Sequence, residues 1–351
     1  MAEISDTAWI PAKYTRLQVG PAPYPSAGPG EIVVRNRAVA INPVDWAKQL
    51  LGDLLMGYRF RVGDRVMGCG MLLAPDVNRA AEGAFQLLLP AGVSYEQASV
   101  LPLTLCTAAY GLFYPDFLNP DLPIFTIAGG ASSMGSNAVQ LAVAAGYEVY
   151  STCSAKNFDY VLRLGASRVL DHHGEHWSEE QKSMLRALTA GNGSVEACTR
   201  ILAQLRKQGG DVQQRIAFAG HPIAFDKLQT WLGMIGVMVL MMLFFGRTAL
   251  SSWSTGVKAK FVDKKDLNKP GNVVSRVLAQ FLSPALAAKQ FMSALEAHVV
   301  GNLLGAIQRA MDIQAAGVST SKLLYSCNPS KLLFASDRNL DAFSLTKYSE
   351  R

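Results

Sequence analysis

The sequence predicts an α/β protein whose main body is a doubly wound parallel sheet, preceded by a β-rich segment. Three observations carry this. First, an apolar strand (Pro123–Ala128) is followed by a glycine cluster, a helix (Ser136–Ala145), a strand (Glu148–Cys153), a helix (Phe158–Leu164) and a strand (Arg168–Leu170), an order that lays helices on both faces of a parallel sheet. Second, 50% of the 351 residues are apolar and 17% charged, ample for a buried core and too apolar for a disordered chain. Third, the length exceeds the roughly 250–300 residues at which a single core stops growing, so two domains are expected.

Taken in order, residues 21–30 are rich in Pro, Gly and Ala, and Glu31–Ile41 alternates as a strand does. Short strand and turn signals continue through Gly63–Val66 and Gly83–Gln86, and a helical stretch runs from Ala98 to Phe113. After the alternating βα region, a last helix (Leu303–Ala316) stops at Gly317 before a short strand, Lys322–Tyr325. These shifts place domain boundaries near 97 and 290: a β-rich 1–97, an α/β 98–290, and a closing 291–351.

Between Lys227 and Arg247 lie 19 uncharged residues, Leu228–Gly246, long enough to cross a bilayer. Gln229, Thr230 and three glycines inside the window oppose that, and the expectation is a buried or interface-forming helix, with membrane contact as the alternative. Lys258, Lys260, Lys264 and Lys265 follow; they suit either a juxtamembrane patch or a solvated face.

The net charge is +6, from 33 Lys+Arg against 27 Asp+Glu, with no long basic tract, which argues against nucleic acid as a partner. Five widely spaced cysteines without a Cys-x-x-Cys pair fit a reducing compartment, and the acidic start lacks a secretory pattern, so a cytoplasmic location is expected. There is no Gly-x-Ser-x-Gly elbow or P-loop, and Ser319–Lys322 has Ser-x-x-Lys spacing without its partner motifs.

Gly129-Gly130-Ala131-Ser132-Ser133-Met134-Gly135 follows a strand and opens a helix. Glycines there allow a tight turn and a close backbone approach to a pyrophosphate, and the helix N-terminus adds partial positive charge. The context predicts a Rossmann-type dinucleotide site, although the spacing is not Gly-x-Gly-x-x-Gly. At the end of the second strand an NAD site places an acid for the ribose 2′-hydroxyl. Here the residues are Ser154, Ala155, Lys156 and Asn157, a hydroxyl, a cation and an amide without an acid, which favours NADPH. Asn157 also has the side chain of a helix N-cap.

Seven motifs now stand in order: Ala40–Trp46, Val62–Val66, Glu82–Gln86, Val100–Leu103 with Thr107–Ala109, the Gly129–Asn137 loop, Ser154–Phe158 and Leu164–Ala166. Together they resemble the zinc-independent medium-chain dehydrogenase/reductases, most closely the fungal branch of quinone-oxidoreductase-like proteins and trans-acting enoyl reductases. The resemblance runs from about residue 8 to 326 and implies a GroES-like N-terminal domain, a Rossmann domain after it, and a C-terminal return to the first. It also implies NADPH in the cleft and hydride delivery to an activated carbon–carbon double bond of a small-molecule or carrier-bound enoyl substrate, in partnership with a polyketide synthase. The alternative is a quinone oxidoreductase-like protein or a nucleotide-binding relative with impaired catalysis. As carried over, Val44, Asp45, Trp46 and Ala47 line the nicotinamide side, Ala131, Ser132, Ser133 and Met134 hold the diphosphate, and Ser154, Ala155, Lys156 and Asn157 the 2′-phosphoribose. His172 takes a position near the adenosine where these reductases often have tyrosine, and Lys322 with Leu323 forms the segment returning to the cofactor.

The zinc-ligand cysteines of other superfamily members are missing, and His172-His173-x-x-His176 lacks a supporting frame, so no metal is expected. No proton donor is assigned; Tyr110 and Lys48 qualify by type alone. The chain departs from the family after Gly52–Leu55, where Met56–Arg61 replaces a strand pair, and again at Leu87–Gly92, so the GroES-like domain is read as shortened. Either a monomer or a homodimer fits the resemblance.

Overall fold

The computed structural model describes residues 4–9, 15–23, 38–42, 45, 93–113, 124–172, 186–189, 193–207, 214–219, 231–262, 272–302, 304–316, 318 and 321–326. The Gly63–Val66 and Gly83–Gln86 segments and both shortened stretches lie outside the described residues.

Two N-terminal strands, β1 (Ile4–Trp9) and β2 (Gln18–Pro23), form an antiparallel ribbon, and β3 (Ala38–Ala40) joins a different sheet. The expected helix at 98–113 is two helices, α1 (Tyr95–Ser99) and α2 (Pro102–Phe113). The break has a local cause: proline disfavours helical backbone in the residue before it and is itself tolerated in a helix's first turn. A capping box starts α1: the Gln97 N–H donates to Ser94 Oγ (3.2 Å) and the Ser94 N–H to Gln97 Oε1 (3.0 Å).

The main sheet has six parallel strands. They are β4 (Ile124–Ala128), β5 (Glu148–Cys153), β6 (Arg168–Asp171), β7 (Arg186–Thr189), β8 (Arg215–Phe218) and β9 (Lys258–Phe261), in the spatial order β6-β5-β4-β7-β8-β9. Phe125, Thr126, Ile127 and Ala128 are all buried, as a strand covered on both faces requires. The winding runs outward in one direction through β4, β5 and β6 and in the other through β7, β8 and β9. The reversal lies between β4 and β7, where such sheets bind ligands beyond the strands' carboxyl ends.

Helix α3 (Ser133–Ala144) is enclosed: every residue from Met134 to Ala142 is buried, with Ala138, Val139 and Leu141 sharing one core with Leu105, Ala109 and Leu112 of α2. It begins three residues before the expected Ser136 because Ser132 caps it. Helix α4 (Phe158–Arg163) connects β5 to β6. Helix α5 (Ser194–Lys207) buries Val195, Cys198, Ile201 and Leu202 at helical spacing, the last three in one cluster with Ile216 and Val257. Burial pushes the Cys198 thiol up to about 12, so it is inert packing.

The uncharged segment forms α6 (Trp231–Thr255), the crossover from β8 to β9. Of the two forms expected, buried or interface-forming, the helix is not buried: only 11% of its most apolar window is covered. A helical run then extends from α7 (Val273–Arg276) through a π-type turn (Val277–Leu282) to α8 (Ser283–Ala287), capped by Asn272 Oδ1 accepting the Ser275 N–H at 2.8 Å. Buried Gln140 of α3 ties down the chain beyond it, accepting the Met292 N–H (2.7 Å) and donating to the Met292 carbonyl (3.1 Å).

Last come β10 (Glu296–Asn302), α9 (Ala306–Ala316) and β11 (Ser321–Ser326). Strands β10 and β11 are parallel, and β11 pairs antiparallel with β3, placing Leu324 opposite Ala40. The C-terminal strand thus returns to the N-terminal one over a small core of Ile41, Val300, Ala310, Met311, Leu323 and Tyr325.

Candidate functional site

The glycine turn sits at the carboxyl end of β4, at the point where the strand order reverses. Gly129 has φ +82°, a region that side-chain-bearing residues rarely adopt. Its N–H and that of Gly130 donate to the Thr152 carbonyl of β5, at 3.0 and 2.9 Å, which folds the turn onto the neighbouring strand. Gly135 is required for a different reason: a Cβ there would stand 2.1 Å from the Gly129 carbonyl oxygen. The helix therefore starts directly against the turn, and the two form a backbone cradle whose close approach any side chain at 135 would block.

Ser132 is the N-cap, its Oγ accepting the Gly135 N–H at 3.0 Å, and the first intrahelical bond runs from the Ser136 N–H to the Ser132 carbonyl at 2.8 Å. Helix geometry leaves the N–H groups of Ser133 and Met134 without an intrahelical acceptor. Two neighbouring helices lock this turn. From α2, Thr104 Oγ1 accepts from Ser133 Oγ (3.2 Å) and Asn137 Nδ2 (3.1 Å); from α4, the Tyr160 hydroxyl donates to Ser136 Oγ (3.0 Å), which donates to the Gly130 carbonyl (2.9 Å). Burial raises the Tyr160 pKa, with the Ser136 hydrogen bond and Arg163 opposing, so the phenol keeps its proton. Sequence reasoning missed Thr104, Ser136 and Tyr160. A signal existed for the first: a hydroxyl one turn inside an otherwise apolar helix has to find a partner.

Among the expected diphosphate ligands, Met134 is buried, and Ser133 donates its hydroxyl to Thr104. Ala131 is half-buried against the main core. At the end of β5, Ser154, Ala155, Lys156 and Asn157 form one short turn in which Ala155 and Lys156 are exposed. Asn157 occupies the N-cap position of α4 but its side chain makes no capping hydrogen bond. Cys153, just before, is no nucleophile: burial, with the Asp171 carboxylate adding to it, pushes its thiol up to about 11. His172 is exposed after β6, its N–H donating to the Cys153 carbonyl at 3.3 Å.

The remaining expected residues fall in the small sheet. Lys322 of β11 is only 5% exposed and its Nζ donates to Asn42 Oδ1. Asn42 and Asp45 close one turn: the Asn42 N–H donates to Asp45 Oδ2 at 2.7 Å, and the Asp45 N–H to the Asn42 carbonyl at 3.0 Å. Burial lowers the Lys322 pKa to about 8, with the Asp45 carboxylate pulling it partway back. The structure so brings together two residues far apart in the chain that the sequence reading assigned separately, and adds Asn42 as the link. Leu323 is core, and its carbonyl accepts the Ile41 N–H at 2.8 Å. Val44, Trp46, Ala47 and Lys48 lie outside the described residues. Tyr110 is buried in the main core.

A glycine turn that opens a capped helix at the switch point of a six-stranded parallel sheet defines an α/β protein of the Rossmann type, and comparison narrows the class. No family model matches the chain. Dehydrogenase pigH of Monascus ruber is 35% identical over 373 residues, covering 91% of this chain and 98% of its own length. Trans-enoyl reductase himH of Aspergillus japonicus is 31% identical over 375 residues, covering 93% and 99%. Among solved structures, the quinone oxidoreductase of Thermus thermophilus superposes with a TM-score of 0.63 at 20% identity, over 92% of this chain and 100% of that one. The chain belongs to the medium-chain dehydrogenase/reductase family of oxidoreductases, among the fungal dehydrogenases and trans-enoyl reductases.

Proposed function

We propose that this chain is a zinc-independent, NADPH-dependent reductase of activated carbon–carbon double bonds, acting in the cytoplasm on an enoyl thioester carried by a polyketide synthase of secondary metabolism. The observation that carries the cofactor reading is the pairing of the Gly129–Gly135 cradle with a β5 end that offers Ser154 and exposed Lys156 and no acid. When bound, the nicotinamide supplies the hydride.

The chain's own residues then do three things. Backbone donors at the start of α3 hold the diphosphate, with the helix dipole behind them. Lys156 and Ser154 engage the 2′-phosphate, a charge-assisted contact that NADH lacks. The Lys322–Asn42–Asp45 cluster acts by position, because the ammonium on Asn42 holds the turn that Asn42 and Asp45 close. Names of relatives support the substrate class: two further relatives are trans-enoyl reductases, caaB of Aspergillus niger and thnE of Trichoderma harzianum.

The test is fluorescence titration with NADPH and NADH, then NADPH consumption with a crotonyl thioester and with a benzoquinone. The expected result is NADPH preferred, with Lys156→Ala weakening NADPH by about tenfold and leaving NADH unchanged, the worth of one charge-assisted contact. Preference for NADH, or an unmoved Lys156→Ala variant, overturns the cofactor reading. Consumption with the quinone alone overturns the enoyl one.

Lys322 adds a pH prediction. Its folded pKa lies below the unfolded 10.5, so between about 8 and 10.5 the unfolded chain binds more protons and stability rises with pH, while below about 8 the fold bears the full cost. Melting temperature followed across that window rises relative to Lys322→Met, which lacks the slope; a parallel pair of curves rejects the assignment.

A further inference from the structure

Helix α6 is uncharged from Trp231 to Gly246, yet only one stripe of it meets the protein. Among the positions described, Gly233, Val237, Met241, Phe244, Thr248, Ser252 and Thr255 recur at helical spacing and are covered or half-covered, with Ser251 beside them. Phe244 and Phe245 anchor it through edge contacts with Phe218 (5.8 Å) and Phe261 (6.1 Å) at the ends of β8 and β9. The opposite face carries Met238 (65% exposed), Met242 (74%), Leu250 (63%) and Trp253 (83%), flanked by Ile235 and Leu243. A contiguous apolar face of this length marks an interaction site.

We propose that α6 lies flat on an anionic lipid surface, so that the enzyme is a peripheral membrane protein. Spanning is ruled out by topology. The helix is about 37 Å long at 1.5 Å per residue, enough for a bilayer. Its two ends, however, lead into β8 and β9, which are hydrogen-bonded neighbours in register from Arg215 opposite Lys258 to Phe218 opposite Phe261. The helix lies against the sheet through Phe244 on Phe218 and Phe245 on Phe261, which holds its body beside these strands. The packed stripe also prevents lipid from surrounding the helix.

Charge favours lipid over a second copy of this chain. From Leu228 to Val262 the sequence contains Arg247, Lys258 and Lys260 and no acid. Exposed Arg206 and Lys207 end the adjoining helix α5, and the Arg206 guanidinium lies against Gly256 at the carboxyl end of α6; Glu196 is at the other end of α5. A two-fold contact through this face would bring these cations against themselves. An anionic leaflet instead attracts each of them while Trp253 and the methionines enter the headgroup boundary.

The experiment is flotation of the full chain with vesicles of one part phosphatidylserine to three parts phosphatidylcholine, beside pure phosphatidylcholine, at low and high salt. The expected result is flotation with the anionic vesicles, reduced by salt, released by carbonate, and cut about tenfold or more by Met238→Glu with Met242→Glu. Those side chains are mostly in solvent, so the double variant keeps the wild-type melting curve, and loss of flotation then reports the surface. Any of three results overturns the proposal: a chain that stays with the pellet fraction of the gradient, a double variant that floats equally well, or a wild-type dimer that the double variant converts to a monomer without any flotation.

Discussion

Helices α3 and α6 belong to the same sheet domain and are both rich in apolar residues, but their surroundings are opposite. From Met134 to Ala142 helix α3 has no exposed side, being enclosed by α2, the sheet and the 273–295 segment. Helix α6 has one covered stripe and a bare outward face. An all-apolar helix is thus a statement about what it lacks, namely a face made for water, and the number of neighbouring elements decides whether that surface is spent inside the fold or kept for a partner. In α3 the enclosure serves the site, since Thr104 and Tyr160, which lock its first turn, sit on the helices that surround it.

The difference is testable by substitution, beginning with the largest effect. Leu141→Ala on α3 removes a fully packed side chain at 2% exposure and is expected to cost about 2–5 kcal/mol in chemical denaturation, the range for a core cavity. A loss under about 1 kcal/mol would mean that α3 is not enclosed as described. Gly135→Ala, at the end of α3 proposed to hold the diphosphate, puts a Cβ on the Gly129 carbonyl; a cost of about 1–3 kcal/mol is expected, as for overpacking, together with loss of nucleotide binding. Unchanged titration by NADPH would show that the cradle is not the diphosphate site. Smallest of all, Met242→Ser on the bare face of α6 is expected to shift stability by no more than about 0.5 kcal/mol, because the side chain touches little. A loss comparable to that of Leu141→Ala would show that a partner already covers the face in solution.

Much of the fold was legible in the chain itself. Strands β4 and β5 and helix α4 fall within a residue or two of the expected limits, because alternation of strand and helix, glycine at the turn and an uninterrupted apolar run are local signals. The expectation of two separate assignments for Asp45 and Lys322 was local too, and so it could not show that Asn42 joins them. Helix α3 was started late because Ser132 was read as a ligand and not also as a cap. For the 228–246 segment, expected to be buried or interface-forming, the sequence leaves that choice to the fold for a similar reason: apolarity gives the cost of exposure but not the neighbours available to prevent it.

Residue order alone therefore determined the class of fold, the glycine turn and the acid-free end of β5, since each depends on neighbours within a few positions along the chain. Only the tertiary structure decided that Thr104 and Tyr160 clamp that turn, that Lys322 is drawn out of water onto Asn42, and that α6 presents an uncovered apolar face. Each of these depends on which distant segments pack together, and packing is set by the whole core at once.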